Sequence, residues 1–199
     1  MTARILAIFL LFVSLTTLGC ERKLVVKEED KALFLRSQDL AAHGFEFEGA
    51  EKYESFAKAK IVDGSYDIEY EFKTPEGEQN HPLFLYVLVN VGGKRSDAVV
   101  SQGAEKLALL YSLKAKGIEE QEVKDFYKYG DASSFYILKK DGEPVGNYFT
   151  VREGSKVYSL ILSGMYFDDP KVWKEIIEPK LKRFSVYSPA YQRHAADRE

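Results

Sequence analysis

The segment Tyr66–Lys73, YDIEYEFK, constrains this chain more than any other stretch. Its large apolar side chains, Tyr66, Ile68, Tyr70 and Phe72, alternate with Asp67, Glu69, Glu71 and Lys73. Successive side chains of an extended strand point to opposite faces, so this period of two predicts a strand with one apolar and one wet face. Four such side chains left in water would forgo roughly 1.5–3 kcal/mol each, so the aromatic face must meet a core. The acidic face is then excluded as an apolar contact patch.

The neighbouring segments extend this strand into a sheet. Residues 52–61 read as a strand followed by Val62-Asp63-Gly64-Ser65, and Asp-Gly is a strong hairpin signal. Residues 74–81, TPEGEQNH, are a polar loop, and residues 83–89, LFLYVLV, are apolar on both faces, as befits a covered central strand. A helix is expected near 97–115, capped by Ser96 or Asp97 and ended by Gly117. Its stripe of Val100, Gly103, Ala104, Leu107, Leu110, Tyr111 and Lys114 is expected to face the sheet, with Gly103 at a close approach. Residues 134–138, 145–151 and 157–162 form a meander joined by turns at Asp141-Gly142 and Gly154-Ser155. Asp169 and Pro170 open a second helix, near 169–183, with an apolar face of Val172, Trp173, Ile176, Ile177, Leu181 and Phe184. Pro179 should kink or restart it, and residues 184–187 read as a closing strand. The order predicts an α+β fold: a single antiparallel β-sheet flanked by helices, an α-β-α sandwich if the helices take opposite faces.

The N-terminus carries a different signal. Residues 1–20 read MTARILAIFLLFVSLTTLGC, with Arg4 before an apolar run from Ile5 to Leu15 and a small, polar stretch before the only cysteine, Cys20. The run is short for a membrane span, which needs about 20 residues, and has the plan of a secretory signal peptide. Leu18-Gly19-Cys20 resembles the lipobox of bacterial lipoproteins, with Thr17 where Leu is commonest. That resemblance implies cleavage before Cys20 and a diacylglyceryl thioether on it, which attaches the chain to a membrane. Glu21 follows, not the Asp that often marks inner-membrane retention, which points to an outer membrane facing the periplasm in a diderm organism. The expected layout is a signal peptide at 1–19, a lipidated N-terminus and tether or short first element at 20–31, one domain at 32–190 and a polar tail at 191–199.

A second resemblance spans about 52–186. Ser134-Phe135-Tyr136-Ile137, Gly146-Asn147-Tyr148-Phe149, Val157-Tyr158-Ser159-Leu160 and the helix from Pro170 to Phe184 follow a hairpin, a central strand and a helix. This order is similar to that of PsbP-like domains, which include DcrB-like lipoproteins, an extrinsic photosystem II protein and a small-GTPase-binding import factor. The resemblance implies a non-catalytic binding or assembly module and carries over no site residue.

Little in the sequence suggests chemistry. The 28 basic and 31 acidic side chains give a formal charge of −3, which makes no electrostatic case for nucleic acid. There is no G-x-S-x-G, and His43, His81 and His194 lack metal-site spacing. His43 beside Glu46 and Glu48 reads as a solvated edge, Asp168-Asp169 as a helix cap, and Gly92-Gly93-Lys94-Arg95-Ser96 as a strand-to-helix turn that departs from phosphate-loop spacing. No cofactor and no metal are expected. The aromatic surplus, 13 Tyr and 13 Phe, suits strands and recognition surfaces alike.

The expected function is a lipid-anchored, non-catalytic module of the cell envelope that binds another envelope protein. A carrier for a small apolar or lipid ligand and a hydrolase with an unrecognised carboxylate pair are the alternatives. Loops and element ends are the expected functional places, at 74–81 and 92–96 and above all at Tyr127, Lys128 and Tyr129, which pair aromatics with a cation as an exposed contact surface.

Overall fold

The computed structural model describes residues 22–45, 49–61, 64–75 and 83–188, without the side chains of Arg22, Glu105 and Leu110. The segment read as a signal peptide, Cys20, Glu46, Glu48, Val62 and Asp63 of the expected hairpin turn, most of the expected 74–81 loop with His81, and the expected tail with His194 lie outside the described residues.

The order is β1 (Arg22–Lys23), α1 (Glu28–Lys31), β2 (Glu54–Lys60), β3 (Tyr66–Lys73), β4 (Phe84–Val91), α2 (Arg95–Ala115), β5 (Ile118–Glu122), β6 (Ala132–Lys140), β7 (Glu143–Glu153), β8 (Lys156–Ser163) and α3 (Pro170–Val186). Two 3-10 turns, Ser37–His43 and Ala50–Tyr53, join α1 to β2. All eight strands form one antiparallel sheet in the order β1-β2-β3-β4-β8-β7-β6-β5. The fold is therefore α+β with a single antiparallel sheet. β4 lies inside it between β3 and β8, where its apolar sequence placed it. The β6–β7 turn puts both Asp141 and Gly142 at positive φ, 53° and 85°, the backbone a two-residue hairpin requires.

Register divides the side chains between two faces. Tyr66, Ile68, Tyr70 and Phe72 of β3 share a face with Leu85, Val87 and Val89 of β4 and with Leu160, Phe149 and Phe135 of the later strands. This is the main core, closed by Trp173, Ile177, Leu181 and Phe184 of α3 and by Leu33, Phe34, Leu35 and Leu40 of the N-terminal segment. Trp173 meets Phe135 and Phe149 edge-on, at ring centroid distances of 5.0 and 5.3 Å. α2 covers the other face through Leu109 and Leu113, which pack on Tyr136, Leu138 and Tyr148. Tyr86 of β4 and Glu69 and Glu71 of β3 lie on this second face too, half-buried. No helix among the described residues is long and apolar enough to cross a membrane.

Several expectations need correction. The stripe expected to bury α2 points outward: Val100, Leu107 and Tyr111 are 71%, 58% and 73% exposed, and Gly103, Ala104 and Lys114 are exposed with them. Ala98, Leu109 and Leu113 turn to the sheet instead, with Gln102 bonded to Thr150 and Lys106 to the Tyr136 hydroxyl. A Cβ on Gly103 would meet nothing within 4 Å, so no close approach explains this glycine. Residues 184–186 are the last turn of α3, not a closing strand. Lys156 Nζ donates to the carbonyl oxygens of Phe184 (2.7 Å) and Ser185, a cation at a helix C-terminus. α3 also runs through Pro179, an exposed position on the helix. The sheet begins before residue 32, because Arg22 and Lys23 pair with Lys60 and Ala59. Of the two readings of 20–31, a tether or a short first element, the second describes Arg22–Lys23 and Glu28–Lys31.

Candidate functional site

Two grooves and two buried carboxylate clusters stand out. The larger groove, about 610 Å³, lies between the outward side of α2 and β5, lined by Leu107, Tyr111, Lys114, Gly117, Ile118, Glu119 and Glu120. Its helix wall is the apolar row described above. Its floor exists because Gly117, at φ 69°, turns the chain out of α2 directly into the edge strand. β5 was not foreseen. Its sequence IEEQE has no apolar alternation, since four of its five residues are exposed at the rim of the sheet.

The second groove, about 300 Å³, includes Val123, Phe126, Tyr127, Lys128, Ser133 and Phe135. Here lies the contact segment expected from sequence, and its tyrosines are half-buried, packed against the main core. The Tyr129 hydroxyl is 2.8 Å from Ser185 Oγ, and Ser133 Oγ donates to the Tyr127 carbonyl (3.1 Å) while accepting from the Tyr129 N–H (3.2 Å). Burial, with Glu178 nearby, pushes the Tyr127 hydroxyl up to about 12. Lys128 is exposed and pairs with the exposed Asp125 at 2.6 Å. These tyrosines therefore bind the β5–β6 connection to the core, and the expectation of free-standing contact aromatics is revised accordingly.

The carboxylate clusters tie the N-terminal segment to β2. Asp30 is fully buried and accepts from Lys58 Nζ (2.7 Å), the Lys27 N–H (2.8 Å) and the Tyr187 hydroxyl. Glu54 accepts from Arg36, Ser37 Oγ (2.9 Å) and the Tyr70 hydroxyl (2.9 Å), which itself accepts from the Ser37 N–H (3.0 Å). Burial raises the Tyr70 and Tyr187 hydroxyls above the ordinary range, with the adjacent carboxylates acting in the same direction. Each carboxylate has its own cation, on which a buried ion depends. Lys58 and Glu54 stand four residues apart on one strand face, about 13 Å. The clusters fasten the N-terminal segment to β2.

The remaining sequence candidates fall as follows. The His43 ring meets Phe167 edge-on at 5.7 Å, and no group of three metal-ligating side chains occurs among the described residues. Asp169 Oδ1 accepts from the Lys171 N–H at 2.7 Å, a helix cap. The 92–96 turn is held by the Gly92 N–H donating to the Ser155 carbonyl (2.8 Å), and Lys94, not Ser96 or Asp97, holds the cap position of α2. Of the 74–81 loop, Thr74 is described, its Oγ1 accepting from the Leu83 N–H at 3.1 Å.

These features define the class as a single-sheet α+β protein with an exposed apolar row on α2 and a groove beside its β5 edge. Comparison with family models, characterised proteins and solved structures finds no match.

Proposed function

We propose that this chain is a lipid-anchored, non-catalytic binding or assembly module of PsbP-like type. It is held at Cys20 in the cell envelope, on the outer membrane facing the periplasm in a diderm organism, and it works on another envelope protein. The observation that carries this reading is the outward row Val100, Leu107 and Tyr111 beside the α2–β5 groove. Three large apolar side chains set in water along one helix face support a surface that a partner covers. The lipobox-like Leu18-Gly19-Cys20 supports the anchor, and the hairpin, central strand, helix, meander and closing helix support the PsbP-like type.

Two measurements test it. Metabolic acyl labelling and membrane fractionation should detect the intact chain in the membrane, and Cys20→Ala should abolish both signals; unchanged labelling removes the anchor. Native mass spectrometry of the purified protein should show no stoichiometric small ligand. A retained lipid or apolar molecule would instead favour the carrier.

A further inference from the structure

We infer that the β5 edge with its groove takes an extended, basic peptide of a partner protein as a ninth strand, Lys or Arg alternating with apolar residues. This deepens the proposed binding function and rests on it for the existence of a partner. β5 ends the sheet, pairing with β6 on one side only among the described residues. Such an edge presents unpaired backbone donors and acceptors to an incoming strand. Glu119, Glu120 and Glu122 are exposed, and none enters an ion pair among the described residues.

Register selects the pattern. Ile118, Glu120 and Glu122 share the sheet face that carries Leu138 and Tyr136, the α2 side. An added strand therefore sets apolar side chains beside Ile118 under Leu107 and Tyr111, and cations beside Glu120 and Glu122. Lys114, at the rim of the helix wall, disfavours a further cation at that end.

The other occupants fit worse. A second copy pairing β5 with β5 would bring Glu against Glu, and directly opposed like charges destabilise strand pairs. A bilayer is disfavoured by position. Only Glu21 separates Cys20 from Arg22 of β1, and β1 is the opposite edge of the sheet. Eight strands at their usual spacing set the two edges roughly 30 Å apart. The anchor thus holds the β1 edge at the membrane and leaves the β5 edge accessible to a partner.

The test uses the full-length protein in detergent and three synthetic probes: a Lys–Val alternating peptide, its alternately N-methylated form and a Glu–Val peptide. The Lys–Val peptide should bind saturably, with amide shifts confined to β5 and the C-terminal half of α2. N-methylation, which removes backbone donors, should abolish binding, and the Glu–Val peptide should not bind. Glu120→Lys with Glu122→Lys should weaken Lys–Val binding about tenfold, whereas Glu69→Lys with Glu71→Lys should leave it unchanged. No saturable binding, equal loss in both charge-reversed variants, or insensitivity to N-methylation would overturn the inference. A dimer, or anionic-vesicle binding, lost on Tyr111→Ser would assign the surface to those occupants instead. Cys20→Ala should leave peptide binding intact, so failure of the anchor and failure of the strand site are read separately.

Discussion

α3 buries Trp173, Ile176, Ile177, Leu181 and Phe184 against one face of the sheet, while α2 commits Ala98, Leu109 and Leu113 to the other. The first face is also roofed by the N-terminal segment, pinned through Asp30 and Glu54. The second has α2 over β4 to β8 and half-buried acidic residues over β3. Among the described residues, one face is thus closed by the chain itself and the other is covered only in part. Stability should be concentrated where the chain closes on itself, and binding where it leaves apolar surface uncovered.

The largest test of this contrast is Trp173→Ala. It removes the ring on which Phe135, Phe149 and Phe167 converge, and should cost about 3–5 kcal/mol in denaturant unfolding. A loss below about 1 kcal/mol would mean that this face is not the stable one.

The difference between the helices also marks what the sequence made legible. α3 has one apolar face and polar residues elsewhere, so its periodicity has one solution, and Trp173 to Phe184 lie where expected. α2 has two apolar rows: 98, 109 and 113 on one side, and 100, 107 and 111 on the other. Periodicity finds both and cannot rank them. Ranking depends on what the sheet offers beneath, and there Thr150 and Ser159 make a polar seat for Gln102. The strands were legible because β3, β4 and the meander alternate or run apolar between Gly turns. β5 was not, because an edge strand in water has no apolar face to announce it. The groove depends on both misread elements, so no motif pointed to it.

Next in size is Tyr127→Ala combined with Tyr129→Ala, which sharpens the boundary of the closed face. Both rings pack on the main core, so the pair should lose about 2–4 kcal/mol in thermal or denaturant unfolding. An unchanged midpoint would return them to the role of surface contacts.

Within α2 a matched pair of substitutions separates its two rows. Leu113→Ala, at 2% exposure, should cost about 2–3 kcal/mol, whereas Leu107→Ser, at 58%, should stay within about 0.5 kcal/mol. Equal costs would show that the outer row is covered in solution, and a concentration-dependent midpoint would then identify the cover as another copy of the chain.

The smallest expected effect is the sharpest, because its sign alone decides. Gly103 lies in the middle of α2 on the outward side, and a Cβ there meets no atom within 4 Å. With space available and helical backbone already in place, Gly103→Ala restricts the unfolded chain without straining the folded one. It should stabilise the protein by about 0.5–1 kcal/mol, read as a raised midpoint with an unchanged denaturant slope. If instead the row of Val100, Leu107 and Tyr111 faced the sheet, Gly103 would be the point of closest helix–sheet approach. The added methyl would then press on packed strands and lower stability. A helix turned either way has the same length, the same caps and nearly the same composition of buried groups. One methyl at position 103 tells the two orientations apart, and with them whether the α2–β5 groove has an apolar wall.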